Sequence, residues 1–339
     1  MPRTKLNYMN KVILLNKRPV GKPVLSDFRF RAEEIPIPGD NEVLLKTLYV
    51  SVDPYLRGRM NDSKSYIPPF QLNMPIQSGI VAEVIDSNNS GFKKGDFISG
   101  TLDWKEYQVS TGKGLNKVNA DVANLSAYLG ILGLTGLTAY LGLVKIGSPK
   151  AGETIVVSGA AGAVGSIVGQ IGKILGCKVV GITGTDEKVE ILKSKFNFDY
   201  AINYKTTPDL RAAINNTCQD GVDIYFDNVG GKISDAVLAN INKNARIPIC
   251  GAISLYNETK PPVGPRIQPI ILGKSAMMRG FIVSDFSEKF SAIIKQLTSW
   301  LKEGKLTYSE TIVEGFDNIP QAFLDLFEGK NEGKMIVKI

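Results

Sequence analysis

A strand, a glycine-rich turn, a helix and a second strand follow one another between Glu153 and Gly184, and this order restricts the fold more than any other feature. The apolar runs ETIVVSG and CKVVGITG predict two buried strands. Such a unit sets its strands side by side and parallel, with the helix across one face. Strand and helix signals continue to alternate up to Ile253, so we predict a doubly wound parallel α/β sheet.

The turn has the spacing of a phosphate-binding fingerprint. In SGAAGAVGS, Gly162 and Gly165 take the second and third glycine positions of G-x-G-x-x-G, while Ala160 replaces the first. A missing side chain at Gly162 lets the backbone approach a pyrophosphate, and one at Gly165 lets the helix pack on the strand. Small residues also serve helix packing alone, but the flanking strand and helix are the context that the fingerprint requires. We therefore predict a dinucleotide site.

The end of the second strand indicates which dinucleotide binds. An NAD site usually places Asp or Glu there on the ribose 2′-hydroxyl, whereas this chain has Thr183 and Gly184. Lys188 follows at the start of the next helix. It is either a solvated helix lysine or a cation that binds a 2′-phosphate through charge-assisted hydrogen bonds. We predict NADP as the cofactor.

The residues before about 130 have a different pattern, in which short β-branched runs alternate with turn residues. We predict an antiparallel, β-rich domain there. Leu129 to Gly147 predicts a buried helix rather than a membrane span, because it contains many glycines and Lys145 and ends at Gly-Ser-Pro. Ala245 to Ile253 predicts a strand, and the closing GKMIVKI predicts a strand that returns to the first domain.

The chain has no histidine, which argues against a catalytic zinc site and against nucleophiles activated by imidazole. Its three cysteines are dispersed and odd in number, so we predict no disulfide framework, no metal and a reducing cytoplasmic location. The first residues contain no apolar segment of a signal peptide. The net charge is +7, but basic and acidic residues are interspersed, so we do not predict nucleic acid as the main partner.

Seven segments that together span nearly the whole chain carry a family resemblance: SVDPYLRGRM, GLTGLTAYLGL, GAAGAVGSIVGQIGK, YFDNVGG, CGAISLYN, GFIV and GKNEGKMIVKI. The chain resembles the zinc-independent medium-chain dehydrogenase/reductases that reduce activated carbon–carbon double bonds, among them alkenal, prostaglandin and curcumin reductases. NKRPVGKPVLSDFRF resembles the curcumin reductases most. The resemblance implies a chaperonin-10-like (GroES-like) catalytic domain of residues 1–130 and 311–339, an NADP-binding Rossmann domain of residues 131–310, an active site in the cleft between them, and a homodimer.

The resemblance also implies roles for single residues. It implies NADP contacts from residues at the pyrophosphate, the 2′-phosphate and the rest of the cofactor: Gly162, Ala163, Val164 and Gly165; Lys188 and Tyr204; and Asn228, Cys250, Gly251, Ala252, Ile253, Ser254, Leu255, Tyr256, Phe281, Ile282, Val283 and Asn331. One extra residue between Lys188 and Tyr204 departs from the family pattern.

Reduction of an α,β-unsaturated aldehyde or ketone by NADPH needs a donor for the charge that grows on the carbonyl oxygen. Tyr256 is our candidate donor, although a loop tyrosine packed at the domain boundary is the simpler alternative. Tyr55 either lines the substrate cleft or belongs to a structural Asp-Pro turn, and Arg57 and Arg59 either hold an acidic substrate or serve the fold. Two functions remain open as alternatives: a quinone reductase of the same superfamily, and a nucleic-acid-binding or structural protein that retains the fold.

Overall fold

The structure, a computed structural model, describes residues 9–339, so most of the N-terminal segment that we predict to lack a signal peptide lies outside the described residues. The strands in chain order are β1 (Asn10–Leu15), β2 (Phe28–Glu33), β3 (Val43–Ser51), β4 (Gln77–Ser87), β5 (Phe97–Asp103), β6 (Tyr107–Ser110), β7 (Asn116–Val118), β8 (Thr154–Ser158), β9 (Lys178–Thr183), β10 (Tyr200–Asn203), β11 (Val222–Phe226), β12 (Ile241–Ile249), β13 (Met277–Gly280), β14 (Glu310–Glu314) and β15 (Lys334–Lys338).

The α-helices are α1 (Leu56–Arg59), α2 (Leu134–Tyr140), α3 (Gly165–Ile174), α4 (Asp186–Ser194), α5 (Leu210–Thr217), α6 (Gly231–Leu238), α7 (Gln268–Gly273), α8 (Phe290–Lys302) and α9 (Ile319–Leu326). A π-helix follows α2 directly at Leu141–Gly147, and short 3₁₀ helices lie at Leu25–Asp27, Leu125–Leu129, Ile253–Leu255, Val283–Lys289 and Phe316–Asn318. No helix within the described part of the chain combines the length and apolar character needed to cross a bilayer.

The chain divides into two compact units. The first reaches from the N-terminal end of the described chain to Leu129 and also contains Ile312–Lys330 and Met335–Ile339. The second consists of Gly130–Thr311 and Asn331–Lys334. The chain therefore enters the second unit twice, the second time for only a few residues near its C-terminus.

The first unit contains an antiparallel sheet in the order β14-β15-β3-β4-β5-β7, with β6 also paired to β3. This arrangement confirms the predicted β-rich architecture. The closing strand β15 runs antiparallel to β3, with Val337 opposite Val50, as its apolar pattern predicts. Trp104 and Phe323 are fully buried in the core on this sheet.

The second unit contains a parallel sheet in the order β10-β9-β8-β11-β12-β13. The strands β9 and β10 are added in turn on one side of β8. The chain then returns to the other side of β8, where β11, β12 and β13 are added in turn. This reversal confirms the predicted doubly wound sheet. It also makes the gap between the carboxyl ends of β8 and β11 the switch point, where ligands bind in folds of this class.

Two predicted elements have different limits. The predicted helix of residues 129–147 begins only at Leu134, because Gly136 passes so close to the preceding turn that an added Cβ would lie 1.8 Å from the Ile131 carbonyl oxygen. The predicted strand Ala245–Ile253 ends at Ile249. The next two N–H groups, of Cys250 and Gly251, both donate to the Asp227 carbonyl, which draws the chain away from the sheet.

Candidate functional site

The glycine-rich turn between β8 and α3 is closed by its own backbone. Gly159 has a φ of 59°, a left-handed conformation that favours glycine. An added Cβ at Gly165 would lie 2.4 Å from the Gly159 carbonyl oxygen. The helix can therefore approach the turn this closely only because residue 165 is glycine. The Gly162 N–H donates to Gly159 at 3.0 Å. The Gly162 N–H is therefore engaged within the turn itself, while Ala163 and Val164 lie partly exposed at the start of α3.

Cationic side chains gather at the carboxyl end of β9. Thr185 is the N-cap residue directly before α4, and its hydroxyl accepts a hydrogen bond from the Lys188 N–H at 3.3 Å. Tyr204 and Lys205 lie over Gly184, where an added Cβ would be 3.2 Å from Tyr204 Cε1 and 3.3 Å from Lys205 Cε. Burial, followed by the charge of Lys205, lowers the pKa of Lys188. Two lysines that repel each other in this way form a site suited to an anion.

The structure thus brings Lys188 and Tyr204 to the same strand end despite the extra residue between them. Lys205 belongs to the same group and was missed, although the sequence NYK at the end of β10 is a signal that could have found it. The nearby acidic side chain of Asp186 is engaged elsewhere, because it accepts a hydrogen bond from Asn203 Nδ2 at 2.7 Å.

The carboxyl ends of β8, β11 and β12 are joined by a buried hydrogen-bond network around Asp227. Its Oδ1 accepts hydrogen bonds from the hydroxyls of Ser158 at 3.1 Å and Tyr225 at 2.8 Å, and from two backbone N–H groups. Asn228, a predicted cofactor residue, donates through Nδ2 to the Ser158 carbonyl at 2.7 Å. Asp227 and Ser158 were missed by the sequence analysis, which considered residues expected to contact the cofactor or the substrate and not those that position them.

The Cys250–Tyr256 loop leaves the end of β12 and is fixed to the same network. The Ile253 N–H donates to the Asn228 carbonyl at 3.3 Å, and the Ser254 hydroxyl donates to the Val229 carbonyl at 2.7 Å. Burial, together with the charge of Asp227, raises the pKa of the Cys250 thiol to about 12. This thiol therefore stays protonated at neutral pH and is a poor nucleophile.

Tyr256 folds back onto this loop. Its hydroxyl oxygen accepts a hydrogen bond from the Ala252 N–H at 3.3 Å. An added Cβ on Gly251 would lie 3.0 Å from that oxygen, so the phenol is packed closely against the loop backbone. Leu255 is the last residue of the short 3₁₀ helix that directly precedes Tyr256.

Two other predicted segments also lie in this unit. Phe281 packs against the π-helix, where an added Cβ on Gly142 would be 2.6 Å from the Phe281 ring, and Ile282 and Val283 follow it, partly exposed. Asn331 Nδ2 donates to the Gly333 carbonyl at 2.8 Å, and the Gly333 N–H donates to the Ala161 carbonyl at 2.8 Å. The Asn331 segment is therefore attached directly to the glycine-rich turn.

Tyr55 lies in the first unit, at the start of α1. Burial, and then the charge of Asp53, raises the pKa of its phenol above the ordinary value, and Tyr66 is also close enough to contribute. Arg57 is buried and donates to the carbonyls of Pro19 and Gly21.

Arg59, also buried, donates to the Pro68 carbonyl and stacks on the Phe70 ring at 3.9 Å. Both arginines brace loops, which favours the structural alternative for them. Among residues 9–339, no three side chains of His, Cys, Asp or Glu are grouped so that they could hold a metal ion.

Two family models match the chain. The N-terminal domain of oxidoreductase matches residues 11–118, and the zinc-binding dehydrogenase model matches residues 163–299. This chain contains no histidine.

Full-length relatives are closely similar. A Bacillus subtilis (strain 168) protein whose name assigns it as an NADP-dependent oxidoreductase, YfmJ, is 57% identical over 96% of this chain and 97% of its own. The NADPH-dependent curcumin reductase of Escherichia coli (strain K12) is 41% identical, and the NADP-dependent 2-alkenal reductase of Nicotiana tabacum is 42% identical, each over 97% of both chains.

A solved structure agrees with them. The crystal structure of CurA from Vibrio vulnificus in complex with NADPH is 42% identical, covers 97% of this chain and 98% of its own, and superposes with a TM-score of 0.93. Sequence identity at this level over nearly the full length agrees with the parallel sheet, the glycine-rich turn and the cationic strand end described above. The chain therefore belongs to the medium-chain dehydrogenase/reductase family, within its group of NADP-dependent oxidoreductases that includes curcumin and 2-alkenal reductases.

Proposed function

We propose that this protein is an NADPH-dependent reductase of the activated double bond in α,β-unsaturated aldehydes and ketones, and that it works without a metal. The observation that carries the proposal is the arrangement at the carboxyl edge of the parallel sheet. There a glycine-rich turn lies beside a strand end that carries two lysines and a tyrosine. The curcumin and alkenal reductases among the relatives support the substrate class.

The residues present fit an NADP molecule. The turn at Gly162 and Gly165 leaves backbone where side chains would otherwise stand, and α3 begins directly behind it, so the positive end of the helix dipole would face a pyrophosphate bound there. Lys188, Tyr204 and Lys205 would hold the 2′-phosphate. Asn228, the Cys250–Tyr256 loop, the Phe281–Val283 segment and Asn331 would hold the rest. When bound, NADPH supplies the hydride.

Tyr256 would stabilise the negative charge that develops on the substrate carbonyl oxygen. A hydroxyl that accepts a hydrogen bond from a backbone N–H becomes a stronger donor, since chains of hydrogen bonds polarise one another. The Ala252 N–H is such a partner. Because the loop that carries both residues is fixed to Asn228 and Val229, the phenol would need little reorganisation during the reaction.

Tyr55 would form part of the substrate-binding surface. Its raised pKa means that the phenol remains neutral throughout the physiological range, so it can contact an apolar enone and still donate a hydrogen bond. This role, like that of Tyr256, is a proposal that mutation can test.

The proposal is tested by a substrate panel under initial-rate conditions with NADPH and NADH in parallel. The panel contains a short enal, an aromatic enone and a benzoquinone. We expect the enal and enone to be reduced at the double bond with NADPH preferred, and the saturated carbonyl product to be identified by mass spectrometry. Turnover of the quinone alone would identify a quinone reductase. No turnover, with tight RNA binding that weakens steeply with salt, would favour the nucleic-acid alternative.

We also propose a homodimer. Strand β13 is one of the two edges of the six-stranded sheet, and Met277 on it and Leu272 before it are exposed, with Leu272 at 83%. An open edge with apolar side chains can pair with its copy across a two-fold axis. Light scattering should give twice the chain mass, and Met277→Arg should reduce it toward one chain. The predicted cytoplasmic location stays a prediction.

A further inference from the structure

We propose that Asp227 is a positioning residue, whose buried carboxylate holds the Tyr256 hydroxyl in place through two peptide groups and the Cys250–Tyr256 loop. The inference rests on the proposed function, in which that hydroxyl stabilises the charge on the substrate carbonyl oxygen. It places part of the control of the reaction in a side chain that is only 3% exposed.

The Asp227 carboxylate sets the direction of the two peptide groups that follow it. Its Oδ1 accepts hydrogen bonds from the N–H groups of Val229 and Gly230, both at 2.9 Å. In a trans peptide group the N–H and the carbonyl point in opposite directions. Because both N–H groups face the carboxylate, the carbonyls of the same two peptide groups, those of Asn228 and Val229, face away from it.

These two carbonyls hold the loop that carries Tyr256. The Asn228 carbonyl accepts from the Ile253 N–H at 3.3 Å. The Val229 carbonyl accepts from the Ser254 N–H at 3.1 Å and from the Ser254 hydroxyl at 2.7 Å. Each peptide group therefore binds the carboxylate with its N–H and the loop with its carbonyl.

The turn and the loop also pack closely against each other. An added Cβ at Gly230 would lie 3.1 Å from Ala252 Cβ, and one at Gly231 would lie 2.9 Å from Ser254 Oγ. The N–H of the same Ala252 donates to the Tyr256 hydroxyl. A change in the direction of the turn would therefore move the backbone group on which that hydroxyl rests.

Two buried hydroxyls tie the carboxylate to the centre of the sheet. Tyr225 on β11 donates to Asp227 Oδ1 at 2.8 Å, and Ser158 on β8 donates to it at 3.1 Å. These strands lie side by side at the switch point. A neutral amide at position 227 would be a weaker acceptor, since hydrogen bonds to a charged group are the stronger ones. The turn, and the loop with it, would then be held less firmly.

A role in positioning and a role in folding alone predict different results for Asp227→Asn. If Asp227 only stabilises the fold, the variant should have a lower free energy of unfolding and an unchanged rate of hydride transfer once folded. If Asp227 positions Tyr256, the rate should fall, and the fall should depend on the Tyr256 hydroxyl.

The experiment is a double-mutant cycle of Asp227→Asn and Tyr256→Phe in the full chain. It measures the single-turnover rate of NADPH oxidation by a short enal at saturation. We expect Asp227→Asn to lower this rate about five- to fifty-fold, as a misplaced group does. In the Tyr256→Phe background the same change should lower it by less than about two-fold, because the two residues act as one unit.

Calorimetry with 2′,5′-ADP shows whether the rest of the cofactor site is intact. The proposed 2′-phosphate site lies at the end of β9, which β8 separates from β11. The affinity of Asp227→Asn for this probe should therefore stay within about two-fold of the wild type.

Asp223→Asn is the matched control, because it makes the same substitution near the other end of β11. There the carboxylate accepts from the Thr154 N–H at 2.9 Å and from Asn242 Nδ2 at 2.8 Å. This variant should lose stability but keep the wild-type rate. If Asp227→Asn does not fold, Ser158→Ala takes its place in the cycle, since it removes one donor to the carboxylate, and the same dependence on Tyr256 is expected.

The outcomes separate this inference from the proposed function. A wild-type rate in folded Asp227→Asn, an equal loss with and without the Tyr256 hydroxyl, or an equal loss in Asp223→Asn overturns the inference alone. A wild type that transfers no hydride to the enal overturns the proposed function, and this inference with it.

Discussion

The hydroxyl of Tyr256 accepts a hydrogen bond from the N–H of Ala252, four residues earlier in the same loop. If this hydroxyl stabilises the developing enolate, Tyr256→Phe should slow hydride transfer more than it weakens binding. We expect the single-turnover rate to fall about ten- to hundred-fold, below the full effect of losing a sole oxyanion donor.

The affinity for NADPH should change only a few-fold, and stopped-flow oxidation of bound NADPH measures the rate directly. A wild-type rate in the variant would leave Tyr256 a packing residue. A large loss of NADPH affinity at an unchanged rate would make it a cofactor anchor.

Lys188→Ala should remove most of the preference for NADPH. The variant loses a charge-assisted hydrogen bond to the 2′-phosphate, which is worth about 1.5–3 kcal/mol, so the dissociation constant for NADPH should rise about ten- to hundred-fold. The constant for NADH should not change, and fluorescence titration measures both. Lys193→Ala, on the exposed side of the same helix, is the control. Equal losses for both cofactors in Lys188→Ala would contradict the assignment.

Gly165→Ala should disrupt the glycine-rich turn. The added Cβ would meet the Gly159 carbonyl oxygen at 2.4 Å and Ala160 Cα at 2.8 Å, both of them backbone atoms that cannot move aside as a flexible side chain could. Such overpacking costs about 1–3 kcal/mol of stability. The free energy of NADPH binding should fall by at least as much as the free energy of unfolding. Gly273→Ala, where an added Cβ meets no described atom within 4 Å, should match the wild type in urea unfolding and titration.

The ion pair between Arg246 and Glu153 predicts a pH-dependent loss of stability. Burial alone would raise the pKa of Glu153, but hydrogen bonds from Arg246 and the Lys150 N–H outweigh it, and the net pKa is lowered. A lowered pKa in the folded state contributes stability above the ordinary value of 4.5, and this contribution is lost as pH falls toward the folded value.

Arg246→Ala should therefore lower the free energy of unfolding by about 1–3 kcal/mol at pH 7, and the difference from the wild type should narrow below about pH 4.5. Urea unfolding at pH 7 and pH 4 checks both points. An exposed pair such as Lys193–Glu190 should change stability by less than about 1 kcal/mol when broken. A difference that is constant with pH would show that Arg246 acts through its contacts with backbone carbonyls rather than through Glu153.

Exhaustive chelation should leave the activity unchanged. The chain has no histidine, and the part described by the structure contains no cluster of potential ligands. Metal analysis of the purified active protein, before and after treatment with a strong chelator, is the direct measurement. Stoichiometric zinc that is lost together with activity would refute the proposal of metal-free hydride transfer.

The sequence predicted the parallel sheet well because its signals are local. The strand of residues 154–158, the turn and the helix from Gly165 all follow from apolar runs and glycine spacing within about one βαβ unit. Local patterns indicate β2 and β7 much less clearly, because the side chains of β2 are mostly exposed and β7 is only three residues long. Such strands form because they pair with the edge of a neighbouring strand, and a local sequence pattern does not show that pairing.

The residues of the candidate site also differ in how well the sequence predicts them. Lys188 could be predicted because it follows the end of the second strand, whereas Tyr204 was predicted from the family resemblance alone. Lys205 was missed because a lysine after a strand usually lies in solvent, and only the tertiary packing over Gly184 brings it toward Lys188. Asp227 could not be anticipated, since its role depends on a hydrogen bond from Ser158, 69 residues earlier.

The attachment of Gly333 to Ala161 has a consequence for how the protein is made. The chain emerges from the ribosome with its N-terminus first, and domains generally fold as they emerge. The glycine-rich turn emerges early, but the residue that binds its backbone, Gly333, follows Ala161 by 172 positions. The nucleotide-binding unit therefore cannot complete its contacts until Gly333 has been made. A chain shortened to end before Gly333 is expected to form the sheet but to leave the glycine-rich turn without this contact.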